Sequence, residues 1–160
     1  MAIVTIIEES VTAVPPTRAF NAMVLHADTL LPKLMPQAIK SIEIVEGDGK
    51  VGSIKQINFV EGVPMKSLKH RIDEIDEETY KYSYTLIEGD VLAGKLEKVS
   101  YELQIVAGSN GGSIIKSTNK YYPLVDVVIS EEEIREGKEK AGAAFKVVED
   151  YLIQNPDAYI

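Results

Sequence analysis

Between Ala38 and Tyr122 apolar and polar residues alternate with period two, interrupted at short, turn-like intervals. That period places successive side chains on opposite faces of a β-strand. It predicts strands over Ile39–Glu46, Ser53–Val60, Lys66–Ile75, Thr79–Ile87, Lys95–Ala107 and Ser113–Tyr122. The breaks carry turn residues, among them Gly47-Asp48-Gly49, Asp76-Glu77-Glu78 and Ser109-Asn110-Gly111-Gly112. Connections this short make consecutive strands antiparallel, because parallel pairs need a long crossover. The β-branched stretch from Ile3 to Val14 predicts a seventh strand.

Helical signals lie outside this block. Pro15-Pro16 opens a short helix, and Asp28 is placed to cap a second over Thr29–Met35, which Pro36 stops. Ser130-Glu131-Glu132-Glu133 reads as a capping box, followed by a helix to about Gln154. Its inner stripe is Ile134, Gly137, Ala141, Ala144/Phe145, Val148 and Leu152. Together these elements predict one α+β domain over residues 1–160, a curved seven-stranded antiparallel sheet closed by a long C-terminal helix.

Strand parity also says what faces the helix. Lys55 shares a face with Ile57 and Phe59, and His70 lies between Leu68 and Ile72. Tyr80, Tyr82, Tyr84 and Leu86 share another, followed by Val99, Tyr101, Leu103 and Ile105, then by Ser113, Ile115, Ser117, Asn119 and Tyr121. A dry core prefers Leu, Ile, Val and Phe, and this set is too polar for one. Gly137 and Ala141 are also small where bulk would be needed to fill a bowl. The pattern predicts an internal cavity with a few polar handles. Alternatively, the small residues let helix and sheet approach closely.

Composition narrows the function. The 160 residues are 45% hydrophobic and 26% charged, with a net charge of −8 and no cysteine. Disulfides and thiolate chemistry are excluded. An acidic chain without a Lys/Arg cluster is poorly suited to phosphate backbones, so no specific nucleic acid is expected as partner. The first residues meet Glu8 and Glu9 before any long apolar run, so no signal peptide, no membrane partner and a cytoplasmic location are expected. With only His26 and His70 as imidazoles, neither a metal site nor a cofactor is expected.

Gly47-Asp48-Gly49-Lys50-Val51-Gly52 fits G-x-G-x-x-G, but a strand follows where a dinucleotide site needs a helix N-terminus. Gly47, Gly49 and Gly52 therefore predict a rigid hairpin loop. Lys55 either reaches a strand edge or an acid, or anchors an acidic or phenolic ligand. Parity offers it no acid beyond Glu97. His70 is either a ligand partner or a histidine satisfied internally. Glu97, Glu149 and Tyr151 could serve acid–base chemistry only if one cleft held them, and surface carboxylates are commoner.

The stretch Gly89-Asp90-Val91-Leu92 with Glu97 and Ser100, then Asn110-Gly111-Gly112-Ser113 with Lys116 and Tyr121, resembles the signature of the plant pathogenesis-related class-ten proteins. The major birch-pollen allergen belongs to that family. The glycine loop, Lys55 and the ending Val148-Glu149-Asp150-Tyr151-Leu152 are similar too, so the likeness spans the chain. It implies a sheet gripping a long helix, two short helices in a V, and a large cavity. It further implies a defence-related allergen and carrier of flavonoids, cytokinins and other phytohormones, fatty acids and steroids. By position the pocket would involve Asp28, Leu31, Lys55, Phe59, His70, Tyr82, Tyr84, Tyr101, Tyr121 and Phe145, and the small residues of the helix stripe add Gly137 and Ala141. A weak ribonuclease activity would rest on the glycine loop with Glu97, Glu149 and Tyr151, and a bond-forming enzyme on a pocket lysine with an acid. The reading favours a monomeric binder over an enzyme.

Overall fold

The structure, a computed structural model, describes residues 3–160 except Pro64 and Ala93; the side-chain surroundings at Val91, Gly137, Lys140 and Ala141 also lie outside the described residues. Strand β1 (Val4–Thr12) leads into helix α1 (Pro16–Phe20), a π-helical turn (Asn21–Leu25) and helix α2 (Ala27–Leu34). Strands β2 (Ile39–Glu46), β3 (Ile54–Phe59), β4 (Ser67–Asp76), β5 (Lys81–Gly89), β6 (Leu96–Ala107) and β7 (Ser113–Pro123) follow, then helix α3 (Glu131–Gln154).

All pairings are antiparallel in the order β1-β7-β6-β5-β4-β3-β2. From β2 to β7 consecutive strands are neighbours, as short connections require, while β1 pairs with β7 from Val4 opposite Tyr121 to Thr12 opposite Ser113. Register shifts between Ile39 and Ser41, Ile72 and Glu74, and Leu96 and Lys98 mark bulges that bend the strands. The curved sheet packs Ile72, Ile105 and Ile115 into one cluster with Val148 and Leu152 of α3 and with Phe20 and Leu30 from the short helices.

Both ends of α3 are tied down. Ser130 Oγ accepts from the Glu133 N–H at 3.1 Å, as the capping box predicts. The Glu133 carboxylate then meets the Ser130 hydroxyl and Lys95 rather than the Ser130 N–H. At the other end Arg18 donates to the carbonyls of Leu152 (3.0 Å), Asn155 (2.8 Å) and Ala158 (2.9 Å). The Leu152 and Asn155 oxygens lie where the helix runs out of intrahelical partners and its dipole favours a cation.

Two local expectations are corrected. Helix α2 begins at Ala27 behind His26, so Asp28 sits inside the first turn and caps nothing. Its carboxylate goes to Lys55 instead. Tyr80 does not open β5: at φ 57° it belongs to the preceding turn, where its hydroxyl meets Thr17 Oγ1 at 2.7 Å and its ring packs on Phe20. Helix α1 itself widens into the π turn, closed by the His26 N–H on the Asn21 carbonyl.

Candidate functional site

Lys55 of β3 lies opposite His70 of β4, and Tyr84 of β5 lies opposite both Ile72 of β4 and Tyr101 of β6. Opposed residues project from the same face, so the register gathers these side chains on the concave side. The rings form a run: His70 to Tyr84 at 4.6 Å, Tyr84 to Tyr101 at 4.8 Å in a near-parallel stack, and Tyr82 to Tyr84 at 5.2 Å. Facing this wall, α2 and the π turn supply Met23, Ala27, Asp28 and Leu31. The space between is a hollow of about 290 Å³. Tyr84 and Tyr101 face inward yet keep accessible surface, because they border empty volume.

Two polar features stand out. Lys55 is 8% exposed, and its Nζ lies 2.7 Å from Asp28 Oδ1. Parity could suggest only Glu97 as its acid; the partner comes from α2, which strand periodicity does not reach, and Glu97 is exposed. His70 is 9% exposed, and its Nε2 has no hydrogen-bond partner among the described residues. Burial, and then the Lys55 charge, push its pKa down to about 4, so the ring is neutral at pH 7. Burial holds the hydroxyls of Tyr82, Tyr84 and Tyr101 well above the usual phenol range, leaving them as neutral donors.

The histidine makes a pH prediction. Unfolded, it takes a proton near pH 6.5; folded, it resists until about 4. The unfolded state therefore binds more protons between these values, and stability is lost as pH falls through that window. At pH 5 the loss from this group is expected to be roughly 2 kcal/mol. Urea unfolding at pH 7.5 and 5 should give wild type a steeper decline than His70→Phe by that amount. Parallel declines would show that His70 is not held neutral.

The sequence profile described as the pathogenesis-related protein Bet v 1 family matches residues 1–155. The protein belongs to the Bet v 1 family. Major allergen Pru av 1 of Prunus avium is 54% identical over 159 residues, covering 99% of each chain. Major strawberry allergen Fra a 1-2 of Fragaria ananassa is 53% identical, with the same coverage. The crystal structure of Ara h 8.0201 superposes with a TM-score of 0.89 at 40% identity, over 96% of this chain and 100% of that one. Norcoclaurine synthase from Thalictrum flavum, in complex with dopamine and hydroxybenzaldehyde, shares the fold at a TM-score of 0.73 and 21% identity, over 96% and 88% of the chains.

Against this Bet v 1 frame, Asp28, Leu31, Lys55, His70, Tyr82, Tyr84 and Tyr101 all border the hollow. Phe145 borders an adjoining space of about 210 Å³ with Ala144 and Val148 of α3. Phe59 sits half-buried at the end of β3 opposite Ile39, and Tyr121 is buried with Leu86 and Val99 in a second cluster; neither is among the residues bordering the hollow. The expectation for Gly137 and Ala141 lies outside the described residues. Met23 and Ala27, which border both spaces, carry no period-two signal because they stand on the π turn and the helix after it.

The glycine loop is a β2–β3 hairpin connection. Gly47, Gly49 and Gly52 adopt φ of 88°, 92° and 91°, in the left-handed region where only glycine is unstrained. The Gly49 N–H donates to Ser53 Oγ at 2.8 Å, and a Cβ on Gly47 would stand 2.4 Å from that oxygen. The loop is thus folded onto a buried serine. Glu97, Glu149 and Tyr151 are not drawn into one cleft. Lys95, two residues before Glu97, bridges Glu133 in the first turn of α3. Glu149 lies sixteen residues further along that helix, about 24 Å away at 1.5 Å per residue. It pairs with Lys146, while Tyr151 accepts from Lys33. Among the described residues no group of three His, Asp or Glu could hold a metal, and no helix is long and apolar enough to cross a membrane.

Proposed function

We propose that the protein binds small amphipathic metabolites in the hollow and acts as an intracellular carrier or sensor for them in plant defence. One observation carries the reading: an empty space walled by stacked aromatic rings contains a buried, unpartnered imidazole nitrogen beside a lysine–aspartate pair. A buried polar atom without a partner is unfavourable, and a ligand hydroxyl relieves it. Flavonoids, cytokinins and steroids have the apolar body and scattered hydroxyls that suit such a wall. The dopamine and hydroxybenzaldehyde held by norcoclaurine synthase are smaller, but they are likewise hydroxylated aromatics, in a protein of the same fold.

Calorimetry on a flavonoid and its deoxy analogue tests the proposal. The hydroxylated form is expected to bind more tightly by about 0.5–1.5 kcal/mol for each hydrogen bond recovered. Tyr82→Phe or Lys55→Met should narrow the gap. Equal affinities in all three proteins would remove the polar handles from the reading, and absence of binding would remove the reading itself.

A second reading, bond-forming catalysis, draws on the Lys55–Asp28 pair as an acid in the pocket. An ammonium held against a carboxylate is a proton donor and a poor amine nucleophile. Lys55-dependent turnover of an aldehyde with an aromatic amine would favour this reading over a carrier. RNA cleavage belongs to neither. Any activity on single-stranded RNA is expected to stay unchanged in Glu97→Gln and Glu149→Gln, whereas a tenfold loss in both, about 1.4 kcal/mol of transition-state stabilisation, would contradict this.

A further inference from the structure

The empty volume beneath the sheet has two unlike lobes. The first, about 290 Å³, contains the Lys55–Asp28 pair, His70 and the tyrosine wall. The second, about 210 Å³, reaches beneath Ala144, Phe145 and Val148 and, among the described residues, has only apolar side chains on its border. Met23, Ala27, Leu31 and Leu103 border both, so the lobes meet there. Met23 stands on the π turn, a wide turn often found at functional sites. Its unbranched thioether is the most adaptable apolar side chain, suited to swing aside or fill the gap.

We propose that the two lobes hold one ligand in one orientation: an uncharged, hydroxyl-bearing head at His70, and a hydrocarbon tail that passes Met23 into the lobe beneath Ala144 and Phe145. This rests on the ligand-binding reading above and specifies the ligand's chemistry. A neutral imidazole offers one N–H and one bare nitrogen, and a hydroxyl can both donate and accept, so it satisfies Nε2 whichever nitrogen carries the proton. A carboxylate can only accept. It would also share the Lys55 ammonium with Asp28 already 2.7 Å away, placing two like charges together in a chain of net charge −8. The tail's place follows from the apolar side chains that border the second lobe, where each methylene buried raises affinity up to about fourfold.

Calorimetry at pH 7.5 on 4-methylphenol, 4-hexylphenol, 4-methylbenzoate and 4-hexylbenzoate tests the orientation. Wild type is expected to bind hexylphenol at least about thirtyfold more tightly than methylphenol, and about tenfold more tightly than hexylbenzoate. His70→Phe keeps the ring stack, so it should lose the phenol preference and keep the gain from the tail. Ala144→Leu fills the far lobe, so it should keep the phenol preference and lose most of the tail gain. A variant that merely folds poorly would lose both together. On wild type alone, nuclear Overhauser contacts should join the hexyl methyl to Ala144 and Phe145, and the phenol ring to His70 and Tyr84. Benzoate binding as tightly as phenol, a tail gain untouched by Ala144→Leu, or the reversed contacts would each overturn the orientation while leaving the hollow a ligand site. Failure of all four probes to bind wild type would overturn the ligand-binding reading together with it.

Discussion

Replacing Asp28 with leucine is expected to destabilise the protein by about 3 kcal/mol, because it leaves the Lys55 ammonium buried without a partner. Removing one member of a buried ion pair typically costs 3–5 kcal/mol. The lower end applies here, since the Asp28 side chain is 29% exposed and partly screened by solvent. The pair as a whole is a different matter. Replacing both charges with apolar groups of similar volume removes the desolvation penalty together with the attraction, and is often neutral or stabilising. Asp28→Leu/Lys55→Met is therefore expected to recover to within about 1 kcal/mol of wild type. Urea unfolding of wild type, both single variants and the double variant measures this. A double variant as unstable as Asp28→Leu would mean that α2 docks through Asp28 by something other than charge.

Leu152→Ala should cost about 2–5 kcal/mol through lost burial and the cavity left behind. Leu152 is 0% exposed in the cluster that joins α3 to Phe20 and Leu30. Its carbonyl is also one of the three held by Arg18, so the last turn of α3 is fixed from inside and outside. Leu152 borders neither lobe, so ligand affinity measured well below the melting point should change by less than about twofold. Thermal unfolding and calorimetry on one preparation separate the two effects. A loss of stability under 1 kcal/mol would show that the turn yields around the missing side chain. A large loss of affinity would show that the floor of the fold and the hollow act together.

The strands were legible because their signal is local. Period two needs no knowledge of the partner strand, and β2 spans Ile39–Glu46 as its alternation requires. The concave placement of Lys55, His70, Tyr82, Tyr84 and Tyr101 followed from the same rule. Ser130 capped α3 because the geometry of a capping box lies within four consecutive residues. The likeness to class-ten proteins identified the family on loop residues such as Asn110, which takes the left-handed φ of 56° in a turn.

What stayed hidden depends on residues far apart in sequence. Asp28 has the chemistry of an N-cap, and its use as the counterion of Lys55, 27 positions away, is decided by where α2 docks on β3. Tyr80 fits the alternation of β5, yet the turn and its hydroxyl bond to Thr17 take it out of the wall. Met23 has no periodic signal, because the π turn shifts it from the spacing of α1. The chain's own pattern thus decides which face each strand turns inward. Only tertiary packing decides which inward residues touch, which charge meets its counterion and how much space is left, because these depend on the distance between elements, and periodicity carries none.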